Sequence, residues 1–143
     1  KITESIKLNG KQQGAMNTVN ISNINMVSKR QFEIGASSTV TIAELASSPG
    51  ATMKYDSDLV KYIRITNLDD TTGLIITYED TSTAAAAVEI PAGDSHILFS
   101  PLISGDATGG AAKTSVSAMD KIYIRNNAGS ATDVEIFVAQ AAS

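Results

Sequence analysis

The chain has no cysteine, no tryptophan, one histidine, three prolines and only 5% aromatic residues in 143 positions. Without cysteine there can be no disulfide framework, thiol nucleophile, cysteine-ligated zinc or iron–sulfur cluster, so the fold must be held by its core. A single histidine cannot assemble the usual zinc sites, which take His and Cys ligands in threes and fours. The absence of tryptophan removes the ring on which sugar-binding proteins commonly stack their ligand. No apolar run approaches the roughly 18 residues of a membrane helix, and no heptad is sustained, which excludes a helical span and a coiled coil. Net charge is −4 and the pI about 4.8. That balance argues against a general nucleic-acid binder, which needs an excess of Lys and Arg.

What fills the chain is small. There are 19 Ala, 16 Ser and 14 Thr beside a hydrophobic fraction of 43%, enough for one domain over residues 1–143 with its own core. The dominant hydrophobic period is two. Val134, Ile136 and Val138 alternate with Asp133, Glu135 and Phe137, and Leu74, Ile76 and Tyr78 with Ile75, Thr77 and Glu79. Strands with one buried face read this way.

Further strands are expected over Ile2 to Leu8, Thr18 to Val27, Arg30 to Ile34, Thr39 to Leu45, Leu59 to Leu68, Ala86 to Ile90, Ser95 to Phe99 and Lys121 to Arg125. Turn signals separate them at Asn9-Gly10, Ser48-Pro49-Gly50, 69–73, 91–94 and 126–130. Apolar parity switches between Ile21 and Ile24, which predicts a bulge or a change of sheet. The Ala84 to Ala87 run is flanked by Thr and β-branched residues that favour extended structure, and Ser104 to Lys113 reads as a long surface loop. Short strands at this spacing, with no helical pattern to serve as a crossover, predict an all-β, antiparallel β-sandwich with a more irregular basic N-terminal part.

A faint repeat sharpens the topology. Tyr62-Ile63-Arg64, then Asn67, a polar turn and Leu74 to Tyr78 parallels Tyr123-Ile124-Arg125, then Asn126-Asn127, a polar turn and Val134 to Val138. Two equivalent hairpins of this kind fit a jelly roll, and would set Arg64 and Arg125 at matching positions, each with its head beside a carboxylate.

Residues for catalysis are scarce. His96 sits in the strand pattern 95–99 with no G-x-S-x-G elbow in the chain to present a nucleophile. The acid pairs Asp56/Asp58, Asp69/Asp70 and Glu79/Asp80 read as turn and surface residues, although Asp56-Ser57-Asp58 offers oxygen ligands of the type calcium takes. The Gly-rich stretch 105–110 lacks the Lys-Ser/Thr pair of a phosphate loop. No catalytic residue, cofactor or metal is assigned, and the chain is expected to be no enzyme.

Charge is unevenly distributed. Residues 1–55 carry six bases and three acids, a surplus of three positive charges, whereas the remainder carries five bases and twelve acids. A basic N-terminal part is suited to an acidic partner surface.

Three segments carry a resemblance. Lys61 to Asp69, Leu74 to Tyr78 and Val88 to Leu98, in the order strand, Asn-Leu-Asp turn, strand, Pro-Ala-Gly-Asp turn, strand, resemble small virion structural proteins of tailed bacteriophages, and the Lys121 to Gln140 hairpin looks similar. The resemblance implies a sandwich that binds an assembled particle: a capsid decoration or cement protein on the virion surface. Its partners would be the major capsid protein or other virion proteins, without nucleic acid or membrane, and it would form homo-oligomers, with a trimer favoured. Residues 1–35 would then be the docking segment, with Lys7, Lys11, Lys29 and Arg30 as its contact side chains and residues 9–17 as a piece that orders on docking. A head-fibre base, tail or adaptor protein would use the same strands. From another class, a secreted carbohydrate-binding or adhesin module uses a similar sandwich.

Overall fold

The computed structural model describes residues 2–3, 7–12, 16–17, 20–46, 54–80, 85–98 and 119–142, and every regular element among them is a strand. In chain order these are β1 (Ile2–Thr3), β2 (Lys7–Leu8), β3 (Lys11–Gln12), β4 (Met16–Asn17), β5 (Ile24–Ile34), β6 (Thr39–Ala46), β7 (Lys54–Asp56), β8 (Val60–Asn67), β9 (Leu74–Asp80), β10 (Ala85–Ile90), β11 (Ser95–Leu98), β12 (Met119–Arg125) and β13 (Thr132–Ala141).

Two sheets make the sandwich, one in the order β11-β8-β13-β5 and the other in the order β10-β9-β12-β6-β7. Setting aside β7, which adds to β6 in parallel, eight antiparallel strands remain, four to a sheet. The chain passes from one sheet to the other at β5–β6, β7–β8, β8–β9, β10–β11, β11–β12 and β12–β13. That is the jelly roll, two interlocked Greek keys.

Alternation explains why these residues form these layers. Ile63, Ile65, Val134, Ile136 and Val138 point from one sheet, and Ile42, Leu74, Ile76, Ile122 and Ile124 from the other, all sealed from solvent. β-branched side chains suit such a half-buried pleated surface.

The expected strands over 18–27 and 30–34 run together from Ile24 as a single strand, β5; residues 20–23 ahead of it are not strand, and 18–19 lie outside the described residues. The parity switch after Ile21 comes from Asn23, whose φ of 60° lies in the left-handed region just before the strand begins. Correspondingly, the docking segment expected over 1–35 is divided. Its last 11 strand residues pair with β13 along their length and belong to the sandwich. Ahead of them, β1 pairs with β4 and β2 with β3 in one shared antiparallel register. Asn9 and Gly10, at φ 50° and 77°, form the two-residue turn joining β2 to β3; both residues need positive φ there, and Asn-Gly supplies it. Strand β7 has no counterpart among the expected elements, and the expected loop over 104–113 lies outside the described residues.

Four of these corners, β5–β6, β8–β9, β10–β11 and β12–β13, lie at one end of the sandwich and are held by two asparagines with no solvent exposure. Asn67 donates its side-chain amide to the carbonyls of Thr72 (2.7 Å), Ile90 (3.3 Å) and Pro91 (3.1 Å), and its Oδ1 accepts the Asp69 N–H (3.1 Å). Asn126 donates to the carbonyls of Ile34 (3.1 Å), Gly35 (3.2 Å) and Ser130 (2.8 Å), and accepts from Ala128 N–H (2.8 Å). Each amide thus closes its own corner and pins a second one.

The two halves are related by a pseudo-two-fold. Exchanging β8 with β12, β9 with β13, β10 with β5 and β11 with β6 turns one four-strand order into the other. The repeat is therefore a property of the fold, but with Asn67 equivalent to Asn126 it sets Arg125 against Thr66, two residues from the expected match with Arg64. In keeping with that offset, Arg125 donates from Nε to Asn127 (2.7 Å), while Arg64 binds a carboxylate.

Candidate docking face

Strand alternation sends Lys29, Gln31 and Glu33 of β5, Asp133, Glu135 and Phe137 of β13, Tyr62, Arg64 and Thr66 of β8, and Ser95 and Ile97 of β11 to the outer face of one sheet. Glu135 is the centre of this face. Its Oε2 takes the Lys29 ammonium at 2.9 Å and its Oε1 the Arg64 guanidinium at 2.7 Å, so one carboxylate ties three strands together. Arg64 also lies over the Phe137 ring, 5.5 Å from the centroid, and Phe137 meets Tyr62 edge-on at 6.0 Å. Cation–π and edge-to-face geometry fix these side chains beyond what area burial supplies.

Hydrogen bonding to Lys29 and then Arg64, against the opposing effect of partial burial, holds the Glu135 carboxyl below the usual carboxylate range. A carboxyl whose folded-state pKa is depressed contributes stability above its unfolded value and loses it as pH falls through the folded one. In urea unfolding, the advantage of the native chain over Glu135→Gln is therefore expected to be full at pH 7 and to shrink below about pH 4. A constant gap across that range would remove the ion pairs as its cause.

The expected contact residues do not form one patch. Lys29 and Arg30 are consecutive in a strand and face opposite ways: Lys29 stands out on the outer face with 61% of its side chain exposed, while Arg30 is half-buried on the inner side, opposite Ile136. Lys7 and Lys11 are exposed beside the Asn9-Gly10 turn, on opposite faces of the ribbon, since Lys7 pairs with Gln12 and Lys11 with Leu8. Arg64, Glu135, Phe137 and Tyr62 were not among the expected contacts; the signal available was the odd-numbered parity of Glu135 and Phe137 opposite the buried valines.

Elsewhere the polar candidates are accounted for locally. His96 is half-buried on the inner side of β11, 5.8 Å from the Tyr78 ring, whose phenol is pushed up by burial. Asp69 accepts from the backbone of Thr71 and Thr72 and from the Thr71 hydroxyl, which lowers its pKa, and Asp56 accepts the Asp58 N–H at 2.9 Å. Both are side-chain-closed turns. Among the described residues no group of three or more acids and histidines converges to hold a metal ion.

Fold and face together define an eight-stranded jelly-roll sandwich with a cross-strand charged and aromatic cluster on one outer surface. No family model and no curated protein matches the chain. Among solved structures it is similar to PirA, at 11% identity over 77% of this chain and 92% of that one, with a TM-score of 0.47. It is also similar to a chain of the Bacillus endospore appendages, a family of disulfide-linked pili, at 12% identity over 90% of this chain and 100% of that one, with a TM-score of 0.44. Neither likeness carries a functional conclusion.

Proposed function

We propose that the protein is a non-enzymatic structural subunit that docks on a larger particle, and that this particle is the capsid of a tailed bacteriophage, decorated through contacts with its major capsid protein. The observation that carries the docking reading is the outer face built around Glu135. Lys29, Arg64, Phe137 and Tyr62 are already held by one another on a rigid sheet, so docking would order few further side chains. The outer face itself carries Lys29 and Arg64 against Glu33, Asp133 and Glu135, so the positive charge that suits an acidic shell is that of Lys7 and Lys11, exposed on the N-terminal hairpin. The phage assignment rests on the resemblance of residues 59–101 and 121–140 to virion proteins.

Electron microscopy of purified virions tests the reading, with density for this chain on the head surface in hundreds of copies as the expected result. Density at the tail alone would favour an adaptor or tail role, and absence from virions with clear glycan-array binding would favour the adhesin class. Within the decoration reading, reversing Lys7 and Lys11 to Glu is expected to weaken binding to depleted particles about three- to tenfold at low salt. The unfolding midpoint should not move, because neither lysine has an ion-pair partner among the described residues. Lys29 is unsuited to this test: reversal there would set two carboxylates together at Glu135.

A further inference from the structure

Strand β5 ends its sheet, and its second edge has no strand beside it among the described residues. It is the longest of the described strands, at 11 residues, and contains no glycine or proline to blunt the edge. Met26 and Val27 on it are 49% and 56% exposed. An edge of this length is a template for pairing with another strand.

The charges along β5 are unbalanced within the single chain. Glu33 lies directly opposite Asp133 on β13, both exposed, and neither has a cation partner among the described residues. Like charges directly opposite in a sheet are destabilising. On the inner side, Arg30 likewise has no carboxylate among the described residues.

We infer that β5 pairs with β5 of a second copy of this chain, antiparallel, about a two-fold axis through Gln31. In that register the strand is complementary to itself. Each Lys29 faces Glu33 of the other copy, on the outer side, and brings a cation to the Glu33/Asp133 pair while keeping its bond to Glu135. Each Arg30 faces Phe32 on the inner side, where a guanidinium and a ring attract. Ser28 faces Ile34. The two four-stranded sheets become one continuous eight-stranded sheet, and every contact occurs twice, as an isologous interface requires. The inference concerns self-association and stands apart from the capsid reading.

Light scattering on the full chain at tens of micromolar should give twice the 14.9 kDa chain mass. A monomer or the mass of a trimer at that concentration would overturn the pairing. Glu33→Lys sets two ammonium groups against each other across the axis, the introduced one and that of Lys29 in the other copy, twice over. It should raise the dimer dissociation constant about tenfold or more. The same substitution places a cation opposite Asp133 within the chain, so thermal stability of the monomer should hold or rise. Lys29→Glu should also be monomeric, and mixing the two variants should restore a dimer, because both cross-copy pairs are again of opposite charge. A dimer unaffected by Glu33→Lys would overturn the register, even if Lys29→Glu fails to fold.

Discussion

Replacing Asn126 with alanine is expected to lower the unfolding free energy by about 3 to 4 kcal/mol, and Asn67→Ala by a similar amount. Both side chains are fully buried, and each donates to three backbone carbonyls while accepting one backbone N–H. Alanine removes both amide donors at once and leaves carbonyls at two corners without their partner, where an unsatisfied buried group costs about 1 to 3 kcal/mol. Against a total stability of roughly 5 to 15 kcal/mol, the double substitution, at about 6 to 8 kcal/mol if the two add, should remove about half of that stability or more. Asn126→Asp separates geometry from charge. It keeps an acceptor for Ala128 but replaces the donors by a carboxylate facing carbonyl oxygens, so its cost at pH 7 should equal or exceed that of alanine. Urea unfolding reads all of these, and an unchanged midpoint for Asn126→Ala would show that backbone bonds alone hold the corners.

The core gives the second large effect. Ile76 and Ile136 occupy equivalent places under the pseudo-two-fold, both with no exposure, Ile136 between Arg30 and Ile65 and Ile76 between Val88 and Ile124. Each Ile→Ala is expected to cost about 3 to 4 kcal/mol, combining lost transfer energy with the cavity left behind, and each Ile→Val about 1 kcal/mol. Sandwich layers are closed on both sides by paired strands, which limits collapse into the void. Equal costs at the two sites would support energetic as well as topological equivalence of the halves. A cost below about 1 kcal/mol for Ile136→Ala, measured by denaturant unfolding, would mean that the sheet relaxes into the space.

Alternation made much of this architecture legible. The inward sets Leu74, Ile76, Tyr78 and Val134, Ile136, Val138 are visible as every second residue, and the turn at Asn9-Gly10 follows from the need for two positive φ values. The paired hairpins pointed to a jelly roll because equivalent corners carry equivalent asparagines, although matching Tyr-Ile-Arg to Tyr-Ile-Arg put the register two residues off. That offset was not legible because the true anchor is a buried amide, and burial of Asn67 and Asn126 depends on corners brought in from residues 34–35 and 90–91.

The candidate face was less legible than the fold. Lys29 and Arg30 look like one basic patch in the sequence, yet a strand turns consecutive side chains to opposite sides. Arg64 and Glu135 are 71 positions apart and meet at 2.7 Å only because β8 lies beside β13. By itself the sequence determined the class of fold, through its period of two, its turn chemistry and the absence of cysteine, since these act between near neighbours. Which strands lie side by side, and so which charges meet at Glu135 and which are left unmatched at Glu33 and Asp133, was decided only by tertiary structure, because strand order and register are set by long-range pairing.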